Sequence, residues 1–252
     1  MSIETEKDLV GLKKIGRIVG LVLKEMKAFA KPGMSTKDLD DFGFNLLSQY
    51  GAKSAPKITY DFPGTTCISV NREVAHGIPS SKKILKEGDL VNIDVSAELD
   101  GYFGDNGSSF VLGKGHPVFD SLVNCSRTSL YKGLSAARSG NRISDIGKAI
   151  HHEAKSNGFT VIKNLMGHGT GGSLHEAPKY IPCYEDKRYS QILKTGMVLA
   201  IETFISTRSE FAVETSDGWT LVARDGSYVA QQEHTIVVTE NEPILLTASN
   251  GI

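Results

Sequence analysis

The stretch DLVNIDVSAELDGYFGDNGSSFVL, residues 89–112, decides the fold. Two β-rich runs, Asp89 to Ala97 and Tyr102 to Leu112, flank Asp100-Gly101, a dipeptide suited to a two-residue hairpin turn. With that turn in place Leu99 faces Tyr102, and counting back sets Ser96 opposite Asp105. Asp94 lies two residues from Ser96 and shares its face, so Asp94 and Asp105 become diagonal neighbours with backbones roughly 7–8 Å apart. Two carboxylates that close require a cation between them, or one must hold a proton.

Outward from the hairpin, helices come in pairs. Residues 5 to 30 carry Leu9, Leu12, Ile15, Val19, Val22, Leu23 and Met26 at helical spacing, and Pro32-Gly33 ends the run. Ser35 with Asp38 three residues on predicts a capped helix to about Tyr50. Further helices are predicted over 117–138 and from Ser144 to Asn157-Gly158. Short strands are expected at Cys67 to Val70, Met197 to Ser206 and Tyr228 to Thr239, with turns at Asp217-Gly218 and Asp225-Gly226. Paired helices with hairpin strands predict an α+β domain built on an antiparallel sheet rather than a βαβ array. Neither a linker nor a low-complexity stretch interrupts residues 1–252, which are read as a single domain.

ILKEGDLVNID (84–94) and ILKTGMVLAIE (192–202) share five of eleven positions, and each ends in an acid inside an apolar strand. Duplication of one half, or chance likeness of two turn-then-strand segments, accounts for this. A carboxylate inside an apolar strand costs several kcal/mol unless paired or bound to metal. Four qualify: Asp94, Asp105, Glu202 and Glu233. By the echo, Glu202 repeats Asp94, and Glu233 in the closing strand takes the part of Asp105. His168, on a glycine-flanked loop, adds a nitrogen donor. Four carboxylates and one imidazole suit a pair of divalent ions of intermediate hardness such as Mn, Fe or Co.

Composition removes other classes. The 28 basic and 29 acidic residues leave a net charge of -1, which gives no electrostatic case for nucleic acid or a membrane surface as partner. The three cysteines, Cys67, Cys125 and Cys183, are far apart, so a thiolate zinc site is not expected. No apolar run of signal-peptide or membrane-spanning type occurs, and a reducing, cytoplasmic setting is expected.

VNIDV (91–95), Gly104-Asp105, Gly167-His168-Gly169, Leu174-His175-Glu176, Ala200-Ile-Glu202, Gln232-Glu233-His234-Thr235 and NREVAHGIP (71–79) resemble, in order and spacing, the signature blocks of type I methionine aminopeptidases. The resemblance runs from the first helix to about residue 247. It implies a pita-bread fold of two pseudo-symmetric halves, with a curved antiparallel sheet covered by helices. It also implies removal of the initiator methionine from nascent polypeptides whose second residue is small. Asp94, Asp105, His168, Glu202 and Glu233 match the five metal ligands, Asp105 and Glu233 being those that bridge two ions (Co, Mn, Fe, Zn or Ni). A hydroxide bridging them would attack the carbonyl, with Glu202 as proton shuttle. His76 and His175 match two histidines that hold the substrate. Phe62, Cys67 and Trp219 match the methionine pocket, with Tyr60 beside them. A cytoplasmic monomer is implied, and docking at the ribosome is left open. The chain departs from the family at Asn106, Thr203 and Leu174, where threonine, proline and phenylalanine are usual; the first two adjoin ligands, which puts the bonding around those ligands in doubt.

Overall fold

In the computed structural model, which describes residues 1–252, the turn forms as read. Asp100 and Gly101 take φ of 55° and 85°, both positive as a type I′ turn requires, and Leu99 pairs with Tyr102 and Ser96 with Asp105. In chain order the elements are α1 (Glu6–Phe29), α2 (Thr36–Gln49), β1 (Lys53–Ser54), α3 (Ala55–Tyr60), β2 (Cys67–Val70), β3 (Glu73–Ala75), β4 (Leu90–Leu99) and β5 (Tyr102–Val111). They continue as α4 (Pro117–Ala136), α5 (Ile143–Ser156), β6 (Thr160–Val161), β7 (Met166–Gly169), β8 (Glu176–Pro182), β9 (Val198–Ser206), β10 (Val213–Glu214), β11 (Leu221–Val222), β12 (Val229–Val237) and β13 (Ile244–Leu245), with a final 3-10 turn at Ala248–Asn250.

Local chemistry explains the helix ends. Thr5 and Ser35 accept from the backbone N–H of Asp8 and Asp38, whose carboxylates accept in return, so α1 and α2 each open on a capping box. The apolar stripe of α1 is buried from Leu12 to Met26, with Leu9 at its margin. The fourth predicted helix begins one residue earlier than Ser144, because Arg142 in extended conformation lets its N–H bond the Asp145 carboxylate.

Ten strands form one sheet with the path β1-β4-β5-β12-β9-β7-β8, and β2, β6 and β13 pair alongside β4, β9 and β12. Every ladder in it is antiparallel. Two cores mark two halves. Val91, Ile93, Val95 and Ala97 of β4 pack against α1 and α2, while Leu199, Ile201 and Ile205 of β9 pack against α4 and α5. The halves meet where β5 lies beside β12, at Ser108 and Gln232. Hydroxyls reinforce this seam: the Asp105 N–H donates to Thr235 Oγ1 at 2.9 Å, and that hydroxyl donates back to the Asp105 carbonyl at 2.6 Å.

Because side chains alternate along a strand, one face of the sheet is apolar and helix-covered. The opposite face carries Asp94, Ser96, Asp105, Glu202 and Glu233, all on one cavity. The small sheet of β10, β11 and β3 was not anticipated. Neither were α3, β7 and β8, which are short and rich in Gly, Pro and polar residues.

Candidate metal centre

The four acids and one histidine matched as ligands, together with His76, His175, Tyr60, Phe62, Cys67 and Trp219, line one cavity of about 470 Å3. Asp94 projects from β4, paired with Cys67 on one side and Gly107 on the other. Asp105 projects from β5, diagonal to Asp94 as the hairpin count requires. In the second half, Glu202 of β9 and Glu233 of β12 stand directly opposite each other. The second pair therefore does not repeat the diagonal geometry of the first, and the echo placed its acids on the right strands in a different register.

His168 corrects a second expectation. It sits on a strand, β7, opposite Ala200 of β9, rather than on a loop. The register of β7 shifts against β8 between Gly167 and Gly169, where backbones crowd too closely for a Cβ. His168 Nδ1 lies 3.0 Å from the Gly169 carbonyl, which can only accept, so Nδ1 carries the proton. The bare Nε2 then faces Asp105 Oδ2 at 3.6 Å. A bare imidazole nitrogen facing a carboxyl at this distance calls for either a proton held on Asp105 or a cation between the two.

The surroundings sharpen this. Asp105, Glu202, Glu233 and His168 are buried, and Asp94 is half-buried. Lys179 is the one cationic Lys or Arg side chain on the cavity wall; it is exposed and forms no ion pair with these acids. Burial, reinforced by the neighbouring carboxylates, holds Asp105 and Glu233 well above the usual carboxylate range. Burial first, then the Asp94 charge, lifts Glu202 to about 8, and burial lifts Asp94 to about 6. His168 is pushed down to about 3 by burial, so its imidazole is neutral and fit to ligate. Asp105 Oδ1 is buried with no hydrogen-bond partner. Donor atoms of Asp105, His168 and Glu233 lie within 4.8 Å of one another. The donor set fits divalent cations: four carboxylates carry as much negative charge as two such ions carry positive charge.

One residue was missed. Gln231, on the same face of β12 as Glu233, points its amide nitrogen at Glu202 Oε2 (2.9 Å), Glu233 Oε2 (3.2 Å) and Asp94 Oδ2 (3.5 Å). The signal was its spacing two residues before Glu233 in a strand.

The remaining residues form the wall. His175 packs against His168 with ring centroids 3.9 Å apart and planes tilted by 41°, and its Nδ1 shares a hydrogen bond of 2.7 Å with the Tyr60 hydroxyl. His76 is held at a positive φ of 54° where β3 ends. Phe62 meets Trp219 edge to face at 5.1 Å, and Cys67 lies alongside Asp94, giving an apolar slot with a sulfur in its lining. Trp219 follows a turn in which Asp217 accepts from the N–H groups of Trp219 and Thr220. Leu174 is buried and lines the cavity, so the phenylalanine-to-leucine departure widens the wall. Asn106 and Thr203 face the helix side. Asn106 donates to the Val95 carbonyl, and Thr203 bonds Ser126 of α4 at 2.7 Å. Neither side chain bonds the acids, so their influence on the bonding around the ligands runs through the strands that carry Asp105 and Glu202.

A model of metallopeptidase family M24 matches residues 10–240. The chain is 57% identical over 247 residues to methionine aminopeptidase 2 of Bacillus subtilis, covering 98% of this chain and 99% of that one. It is 46% identical to the methionine aminopeptidase of Staphylococcus epidermidis over 98% of both chains. Among solved structures, the methionine aminopeptidase of Thermotoga maritima superposes with a TM-score of 0.94 at 36% identity, over 98% of this chain and 99% of that one. The prolidase of Pyrococcus furiosus reaches 0.76 at 21% identity while this chain covers 65% of it, which speaks for the fold alone. No helix is long and apolar enough to cross a membrane.

Proposed function

This chain belongs to metallopeptidase family M24 and, within it, to the methionine aminopeptidases, and on that premise we propose how its cavity removes an N-terminal methionine. Asp94, Asp105, His168, Glu202 and Glu233 would hold the divalent ions, Asp105 and Glu233 standing with His168 at the centre of the donor set. The observation that carries this is the convergence of donor atoms of Asp105, His168 and Glu233 within 4.8 Å of one another in a buried site where no Lys or Arg pairs with the acids. Such ions, once bound, polarise the scissile carbonyl and acidify a water, and carboxylate oxygen with one imidazole suits Mn, Fe or Co.

The chain's own groups do the rest. Glu202 takes the proton from the attacking water and returns it to the leaving amine. His175 donates to the oxygen on which negative charge develops, and His76 bonds near the scissile nitrogen. Phe62, Cys67 and Trp219 accept the methionine side chain, whose thioether packs well on aromatic edges. We extend the reading to the type I subclass, to a single catalytic domain spanning residues 1–252, and to a cytoplasmic monomer acting on nascent chains with a small second residue.

Two results follow. Chelator-stripped protein given Mn or Co releases methionine from Met-Ala-Ser and leaves Xaa-Pro dipeptides intact, read by amino-acid chromatography. Preference for the Xaa-Pro substrate, or no metal-dependent release at all, rejects the proposal. His175→Ala lowers kcat by about 10²–10³, the loss seen when one donor to a developing oxyanion is removed. Elemental analysis then finds the metal content unchanged. Strong metal loss in that variant would take His175 out of a purely substrate-facing role.

A further inference from the structure

We infer that Gln231 is a positioning residue of the metal centre, selecting which oxygens of Glu202 and Glu233 remain free to ligate. The inference rests on the metal reading above. The Gln231 side chain is 1% exposed, and its amide nitrogen is the shared donor to three carboxylates that have no Lys or Arg partner. It approaches Oε2 of both glutamates, which leaves Oε1 of each without that donor. A carboxamide suits this place because it donates two protons without bringing a positive charge that would compete with a cation. Donors of this kind, one step behind the ligands, fix their orientation.

The fold is built to hold this amide. The backbone N–H of Gln231 donates to Ser109 Oγ at 2.9 Å across the seam between β12 and β5. Gly107, opposite Asp94 on β5, makes room for the side chain: a Cβ at Gly107 would fall 2.7 Å from Gln231 Oε1. That Oε1 is itself buried with no partner. The unpaired oxygen is the cost of aiming the nitrogen at the acids. A Gln serving only to fill space would have no reason to leave its one acceptor against a glycine while its two protons face three carboxyl groups.

The test is a calorimetric titration of MnCl2 into chelator-stripped protein, for the parent, Gln231→Met and Gly107→Ala. Methionine keeps the length of Gln231 and removes its donors; alanine at Gly107 pushes the amide aside without touching an acid. Both variants are expected to bind Mn tenfold to a hundredfold more weakly. Their Co-loaded absorption spectra are expected to shift, since the ligand geometry changes. Should Gln231→Met fail to fold, Gly107→Ala carries the comparison. Affinity within about threefold of the parent with an unshifted spectrum, whatever happens to the melting temperature, overturns the inference. A parent that binds no divalent ion defeats the metal reading itself.

Discussion

Asp105→Asn lowers kcat/KM for Met-Ala-Ser by at least about a thousandfold, yet leaves the metal-free fold as stable as the parent or more so. The first half of this result comes from position. Asp105 stands on β5 at the seam between the halves, its backbone locked on both sides by Thr235. Its side chain faces His168 across 3.6 Å, with Oδ1 free of any partner. An amide there loses one of four negative charges and turns an N–H toward the space a cation would occupy. A thousandfold loss corresponds to about 4 kcal/mol of transition-state stabilisation. The second half comes from electrostatics. Without ions, burial first, then the neighbouring Asp94 and Glu202, holds the Asp105 carboxyl well above its ordinary range. An asparagine is neutral at every pH, so folding without ions no longer requires that site to take up a proton or bury an unpaired charge. Steady-state kinetics with added Mn and thermal melts in chelator test the two halves separately. Near-parental turnover would remove Asp105 from the centre. A collapse of the metal-free fold would make its role structural.

The site was legible from sequence wherever a local rule fixed geometry. The Asp100-Gly101 turn ties β4 to β5 by two residues, so counting from it gave the Ser96–Asp105 pair and the Asp94 diagonal. No such rule links β9 to β12. The chain leaves β9 at Ser206 and returns at Val229 through β10 and β11, so nothing local set Glu202 opposite Glu233. The strand that carries His168 has almost no β-propensity of its own in Met166-Gly167-His168-Gly169. It becomes a strand because β9 and β8 close on it from both sides, a tertiary effect. Gln231, Asn106 and Thr203 are different, since the alternation of a strand already decides them. Gln231 is two residues from Glu233 and shares its face. Asn106 and Thr203 each follow a ligand by one and turn to the helices.

In chelator, the melting temperature falls as pH rises from 6.5 to 8, and excess Mn reverses that trend. Free carboxyls titrate near 4, whereas Glu202 is lifted to about 8 and Asp105 and Glu233 stand well above the usual range. The folded metal-free chain thus holds protons that the unfolded chain has already released. Raising the pH through the folded value draws those protons off and leaves buried, unpaired charge, so stability is present at the lower pH and lost toward the higher. Asp94, lifted to about 6, has mostly titrated before this window. The buried histidines work in the opposite direction, and mainly below this window. His168 and His234, depressed by burial to about 3 and about 4, are neutral when folded throughout it, while their unfolded imidazoles, with an ordinary value of about 6.5, shed their remaining protons in its lower part, so the opposing slope fades toward pH 8. Each raised carboxyl contributes up to about 1.4 kcal/mol per pH unit while it keeps its proton. For a chain of this size one such carboxyl corresponds to a fall of about 4 °C over the interval. Divalent ions bind the deprotonated acids and release their protons, so the stabilisation by Mn grows over the same interval. Scanning calorimetry at three pH values, with and without Mn, reads both slopes, and Glu202→Gln flattens the metal-free one. A melting temperature in chelator that is level from 6.5 to 8 would mean these acids do not share a buried centre.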